Sequence, residues 1–474
     1  MTQTPVGHVP APSSAGPGNP GPGHLPRPAL RTALRRRLRS AGAAATTEPG
    51  RLRVIGALLV LLVVGFGAVT AWQVADRQAA AGNVLDHSAP LSANAAEIYR
   101  SLADADATVA GGFLVGGQEP TGVADQYQGD VDKAAKLIAQ AAADSAGSPE
   151  ARAQIDFLNR RLPVYTQLVA TAQADNRQGL PLGGAYLRYA DQQMRDPGGL
   201  LDAAGRLYQV ENARLGSDYA GAKELPYAAW ALGVASLAAL VWAQRRLYRR
   251  TNRVFNRGLV TAGAATAVTL VWLAVGHTVA RADLEDSAAH GARSVQVLDS
   301  ARIAALNARS DETLALVSRG ADSSYDTDYP QRVEELAGPA KGPLGGELAR
   351  ALELADTAKG RASVRTAAGA VAQWRDRHAT ELQQDGQGHY DTAVAMVIGG
   401  QDSPGKDTAS TWQSFTTVDE ALSDAIDQEH AEFQSAAADG RDALLLLPYG
   451  AGALALVAAA CAAVGIGRRL AEYR

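Results

Sequence analysis

The sequence predicts an all-α protein: four transmembrane helices and two duplicated extracytoplasmic helical-bundle domains. Three observations predict it. Four apolar runs, Val54 to Trp72, Tyr227 to Trp242, Leu259 to Val279 and Leu444 to Ile466, stand at or near the roughly 20 residues a helix needs to cross a hydrocarbon core. The stretches on one side of these crossings are basic. Eight arginines and one acid precede Val54, the turn QRRLYRRTNRVFNRG at 244–258 holds six arginines and no acid, and Arg468, Arg469 and Arg474 face Glu472 in the tail. The segments on the other side are acidic, with 19 acids to 13 basic residues from Asp76 to Leu225 and 28 to 15 from Arg281 to Asp442. The positive-inside rule then places both termini and the central turn in the cytoplasm of a multi-pass cell-membrane protein. The overall balance of 45 basic to 49 acidic residues hides this alternation.

Residues 1–50 begin with PVGHVPAPSSAGPGNPGPGHLPRPA, too poor in apolar surface to offset the entropy of ordering, and disorder is expected there. LRTALRRRLRS, Leu30 to Ser40, is a basic amphipathic stretch that suits an anionic inner leaflet, or that merely enforces topology. The first span, 54–72, reads as an uncleaved signal anchor, because so long an apolar run does not suit the h-region of a signal peptide. From 76 to 225, apolar residues recur at helical spacing, as in Ala95, Ile98, Leu102, Ala105 and Val109, and again in Val131, Ala135, Ile138 and Ala142. About four long helices are expected, the first continuing out of span one and the last running into span two at 226–243. After the turn at 244–258 and span three at 259–280, the segment 281–442 repeats the plan, with breaks expected at Pro330, at Pro339 to Pro343 and at Ser403-Pro404. Span four occupies 443–466, and 467–474 forms a short tail.

The halves share details. Leu225-Pro226-Tyr227 stands before span two and Leu447-Pro448-Tyr449 near the start of span four. SLADADATVAGGFLVGG and NARSDETLALVSRG each set an acid pair before an apolar helical run ending in Gly, which fits an ancient duplication. Pro226 and Pro448 are candidate hinges, since a proline ring interrupts a helix that would otherwise run straight through, although a plain boundary between soluble and membrane helix explains them as well.

Catalytic and cofactor signatures are missing from the sequence: no Gly-rich loop ending in Lys-Ser/Thr, no HExxH, no kinase constellation. His378, His389 and His430 lack ligand spacing and read as solvated surface residues, and the one cysteine, Cys461, forms no pair within the chain. An enzyme, a metal site, a cofactor or a nucleic-acid partner is therefore not expected. Small residues at four-residue spacing, Gly67 with Ala71, Ala264 with Val268, and Ala451 with Ala455 and Ala459, suit a compact membrane bundle or a homodimer face in contact with membrane lipid. Outside the membrane, Arg100 or Arg309 would clamp a small anion through the guanidinium fork. Asp104 and Asp106, or Asp311 and Glu312, would instead meet a cationic ligand or basic surface. Inside, Arg245, Arg246, Arg249, Arg250, Arg253 and Arg257 are candidates for docking an acidic partner, although topology alone explains them.

A helix leaving the membrane, a helical bundle and a helix re-entering is the plan of the four-helix-bundle sensor domains of bacterial chemoreceptors and histidine kinases, and Ile98 to Gly117 resembles their first helix. LPVYTQLVATAQADNRQGLPLGGAYLRYADQQMRD, Leu162 to Asp196, together with the duplicated four-span layout and the arginine-rich turn, resembles the GlnX family of actinobacterial membrane proteins. That resemblance implies partners on both sides: an extracytoplasmic solute-binding lipoprotein of the GlnH type, loaded with aspartate or glutamate, and a cytoplasmic serine/threonine kinase of the PknG type. It implies a non-enzymatic signalling protein relaying amino-acid availability inward. A chemoreceptor-like sensor that binds a small ligand itself, or a structural scaffold of the envelope, are the other readings the residues allow.

Overall fold

The computed structural model describes residues 48–115, 121–144, 148–251, 256–319, 324–399 and 410–471. The Pro-rich and basic tail before residue 48, the Ser403-Pro404 break and the side chains of Arg250 and Arg253 lie outside what it describes. All regular structure among the described residues is helical.

The first half begins with α1 (Glu48–Asn83), which passes through a π-helical turn (Val84–Ser88) into α2 (Ala89–Leu114) without leaving helical geometry. Then come α3 (Thr121–Asp144), α4 (Pro149–Arg177), α5 (Leu182–Arg195), α6 (Leu200–Ala222) and α7 (Tyr227–Thr251). The second half repeats the order: α8 (Arg257–Asp286), a π-helical turn (Ser287–Ala292), α9 (Arg293–Ser318), α10 (Ser324–Ala337), a short α11 (Gly346–Leu354), α12 (Ala358–Gly386), α13 (Tyr390–Ile398), α14 (Thr411–Leu445) and α15 (Leu447–Ala471). Helices α2 and α9 are both 26 residues long and α4 and α12 both 29. The last pair also begins and ends alike. Ser148 and Thr357 each accept a hydrogen bond from an amide of the first turn, and Gly179 and Gly388 take the positive φ (69° and 83°) that closes each helix.

Four helical runs are long and apolar enough to cross a membrane. Their apolar parts, α1, α7, α8 and α15, pack in a ring, α1 against α7 and α15, α8 against α7 and α15. Leu59, Val63, Leu240, Leu259, Ala458 and Ala462 fill its interior, while Leu58, Leu61, Val234, Val268, Val271 and Leu456 point outward as the apolar band a bilayer would cover. Gly67 lies so close to α15 that a Cβ there would fall 2.2 Å from the Cβ of Ala455, so the small residues of spans one and four do meet. Ala264 and Val268 face outward instead, and span three buries Leu259, Ala262, Thr266, Thr269 and Leu273.

Outside the spans the two bundles are not separate bodies. Helix α2 packs along α9, and residues of both halves form one continuous core. Pro330 does not break its helix: Tyr325, Tyr329, Val333 and Leu336 bury one face of α10 on both sides of the ring, and that burial offsets the missing amide bond. At the membrane face the two candidate hinges differ. Pro226 sits in a four-residue interruption between α6 and α7, whereas Pro448 lies in the first turn of α15, which the single residue Leu446 separates from α14. Arg77 of α1 holds the first interruption by donating to the carbonyls of Glu224 (2.6 Å) and Leu225 (3.3 Å). The amide of Ala229 donates to Gln73 Oε1 at 3.0 Å. On the opposite face α7 continues to Thr251 and α8 starts at Arg257, so Arg245, Arg246 and Arg249 are helical and the basic turn is shorter than 244–258. Asn256 caps α8 and donates to the carbonyl of Gly465, tying that turn to α15.

Candidate functional site: the buried seam between the bundles

Helices α2 and α9 both lead away from the membrane, and their contact carries most of the predicted site residues. The eighteenth residue of each helix, Asp106 and Ser310, meets the other at the crossing, Ser310 Oγ donating to Asp106 Oδ2 at 3.0 Å. Equivalent positions facing each other is what a two-fold axis produces, here within one chain. Tyr165 of α4 donates to the other oxygen of Asp106 at 3.4 Å. Burial, and then the charge of Asp191, raise the Asp106 carboxyl to about 7.

Arg195, the last residue of α5, reaches across to Asp311 of α9 at 2.6 Å and lies 3.9 Å from Asp191 of its own helix. Tyr325 of α10 donates back across the seam to Asp191 at 2.7 Å. Burial raises Asp311 to about 6 despite the guanidinium beside it, and the surrounding carboxylates outweigh burial in raising Arg195. Three carboxyl groups thus act on one guanidinium, and the raised pKa of Asp106 lets its protonation relieve the imbalance.

Nearer the membrane, Arg100 pairs with Asp299 of α9 and with Glu97, which also meets Lys133 of α3. Burial would raise Glu97, but these two cations hold it down at about 2, while burial leaves Asp299 at about 6. Asp104 is only half-buried. It faces Asp419, which Arg302 grips bidentately at 2.5 and 3.0 Å, and burial together with the Asp419 charge raises it to about 6.

Arg309 and Glu312 do not reach the seam. They lie in the core of the second bundle, each about 1% exposed. Glu312 accepts from Arg309 Nη1 (2.6 Å) and Trp374 Nε1 (2.9 Å) and contacts His378 Nδ1 at 3.1 Å. Arg309 also donates to the carbonyl of Val397 at 3.1 Å. His378 stacks on Tyr329 and lies 3.1 Å from Glu381. Burial alone would lower its pKa, yet its bonds to the two glutamates raise it to about 9, so it is a buried cation at neutral pH. The reading of His378 as a solvated residue is therefore corrected. It stands on the inward face of α12 with Val371 and Trp374.

The six predicted residues of the outside domains thus fall into two sets, Arg100, Asp104, Asp106 and Asp311 at the seam and Arg309 with Glu312 in the second core. In this arrangement all but Asp104 turn their charges on protein partners and not on solvent. Their partners escaped the sequence reading. Asp191 and Arg195 had a local signal, opposite charges four apart on one helix. Tyr165, Asp299, Tyr325 and Glu381 had none, since what gathers them is the packing of one half on the other.

Helix-only architecture among the described residues and four membrane-competent runs are consistent with a multi-pass membrane protein. The family model of the actinobacterial sensor domain matches residues 80–220, from the end of α1 to the end of α6, and supports a sensor protein of actinobacterial type. No curated protein and no solved structure matches the chain.

Proposed function

We propose that the chain is a non-enzymatic transmembrane relay. It reports extracellular aspartate or glutamate, delivered by a solute-binding lipoprotein, to a cytoplasmic serine/threonine kinase that controls carbon and nitrogen metabolism. The observation that carries this reading is helical continuity. The run from Glu48 to Leu114 extends from one end of the span bundle to the seam, and the run from Thr411 to Ala471, interrupted only at Leu446, leads from the second bundle back to the same end. A partner that favours one arrangement of α2 against α9 shifts the spans by its differential affinity for the two arrangements. The inner ends of α7 and α15, with Arg245, Arg246, Arg249, Arg468 and Arg469, would present or withhold the docking surface.

The test uses the full chain in lipid nanodiscs, titrated with the solute-binding lipoprotein with and without glutamate or aspartate. Capture that requires the amino acid, together with kinase binding at the inner face that weakens when Arg245, Arg246 and Arg249 become alanine, supports the relay. Equal capture with and without the amino acid overturns it.

A further inference from the structure

Between the two halves, at the level of the π-helical turns, lies a cavity of about 330 Å³, at the small end of ligand pockets. It is built in pairs. Ser92 and Gln296 are the fourth residues of α2 and α9. Tyr208 and His430 stand eighteen residues before Pro226 and Pro448, and Asn212 and Gln434 fourteen before them. The six polar groups thus sit as three pairs about the same internal two-fold that joins Asp106 to Ser310.

Three features fix the chemistry of an occupant. Among the described residues, the side chains of Ser92, Asn212 and Tyr208 make no hydrogen bond to another protein group and are buried or half-buried, so their hydroxyl and carboxamide capacity faces the cavity, while Gln296 and Gln434 are exposed at its mouth. The one carboxylate in the lining, Asp299, is already paired with Arg100, and no lysine or arginine joins it. Burial, then the charge of Arg100, lower the pKa of His430, which leaves its imidazole neutral at pH 7. Leu85, Leu215, Val295 and Phe433 supply the rest of the wall. With no free cation an anion finds no counter-charge, and with its carboxylate engaged a cation finds none either.

We infer that this cavity is a binding site for an uncharged small molecule that combines an apolar ring or short chain with two or more hydrogen-bonding groups. It is distinct from any acidic amino acid and from the lipoprotein-dependent reading above, and it stands or falls without that reading. Its walls belong to the starts of α2 and α9 and to α6 and α14, the helices nearest the spans, so an occupant bridges the halves where their separation is passed to the membrane.

The probes are para-fluorobenzamide and para-fluorobenzyl alcohol, with para-fluorobenzoate and para-fluorobenzylammonium as charged counterparts, added to the full chain in nanodiscs and observed by fluorine NMR. Expected is saturable broadening of the neutral probes alone, abolished by A93W, which fills the cavity from α2, and weakened about fivefold by the double variant N212L/Q434L, which removes two hydrogen-bonding groups. Where A93W fails to fold, the double variant decides. Absence of saturable binding by both neutral probes, equal binding of a charged counterpart, or broadening unchanged in the folded variants overturns the assignment.

Discussion

Asp106 gives the seam a pH dependence whose direction is fixed. Its carboxyl titrates near 3.8 in the unfolded chain and at about 7 in the fold, so between those values the folded protein holds a proton the unfolded chain has released. Stability therefore declines as pH rises through that window. Asp104, Asp299 and Asp311, each raised to about 6, act in the same sense. His378, raised from 6.5 to about 9, stabilises fully below 6.5 and loses that contribution as pH rises through 9. Glu97, lowered from 4.5 to about 2, stabilises above 4.5 and fails only as pH falls toward 2. Together these windows put maximal stability below about pH 4, where the raised carboxyls are protonated in both states, with a decline from there upward. Thermal unfolding of the full chain in detergent should show a midpoint that falls by several degrees from pH 5 to pH 8, with a shallower fall in D106N; an identical slope in that variant contradicts the assignment. In the second core, E312Q leaves Arg309 without its counter-charge and His378 with Glu381 alone, and should cost about 3–5 kcal/mol, read by chemical denaturation; a loss below about 1 kcal/mol contradicts the buried network. The charges themselves were legible as helical acid pairs and arginines. Their burial was not, because α2 and α9 have polar residues on the faces they bury together, and a polar face reads as solvated until its partner is known.

At the level of elements, the apolar runs, the proline and glycine punctuation and the helical period were strong signals, and they locate every membrane-competent helix. The failures are local and physical. The expected break at Pro330 is overridden by burial of two tyrosines and two aliphatic residues on one face of α10, and the short helix α13 has too few turns for a period to stand out, whereas α11 was legible as the helical pattern from Leu348 to Ala355. Glycine contacts between helices lay beyond sequence reading, since spacing does not say which neighbour comes close. G67A tests one such contact. The added methyl collides with Ala455 and should cost about 1–3 kcal/mol of thermal stability, whereas G65A, on the same helix with nothing within 4 Å, should change it little. Equal effects of the two would remove the packing assigned to α1 and α15.

On the scale of the whole molecule, the duplicated layout was readable from the two LPY sequences and the matching order of elements, but the joining of the halves was not. Arg195 is the test of that joining. R195M removes the cation that acts on Asp106, Asp191 and Asp311 together, and the carboxyl groups left behind should repel or protonate. Hydrogen exchange should then rise in α2 and α9 together while α12 stays protected; a rise confined to the first half would mean that the seam does not couple the bundles. The same seam is why the site could not be read from either half alone: each contributes half of the contacts, and neither carries a motif for the other.

A sensor assembled from two separate copies must first find its partner in the plane of the bilayer, so the fraction able to signal depends on how many copies a cell makes. Here the two-fold contact of Asp106 with Ser310 lies within one polypeptide. Its effective concentration is set by chain length, and the proportion of assembled sensor is the same at one copy per cell as at thousands. Fusion also frees the two sides to differ, as Tyr208 opposite His430 and Asn212 opposite Gln434 already do, so one side can accumulate changes that an identical pair would be forced to share.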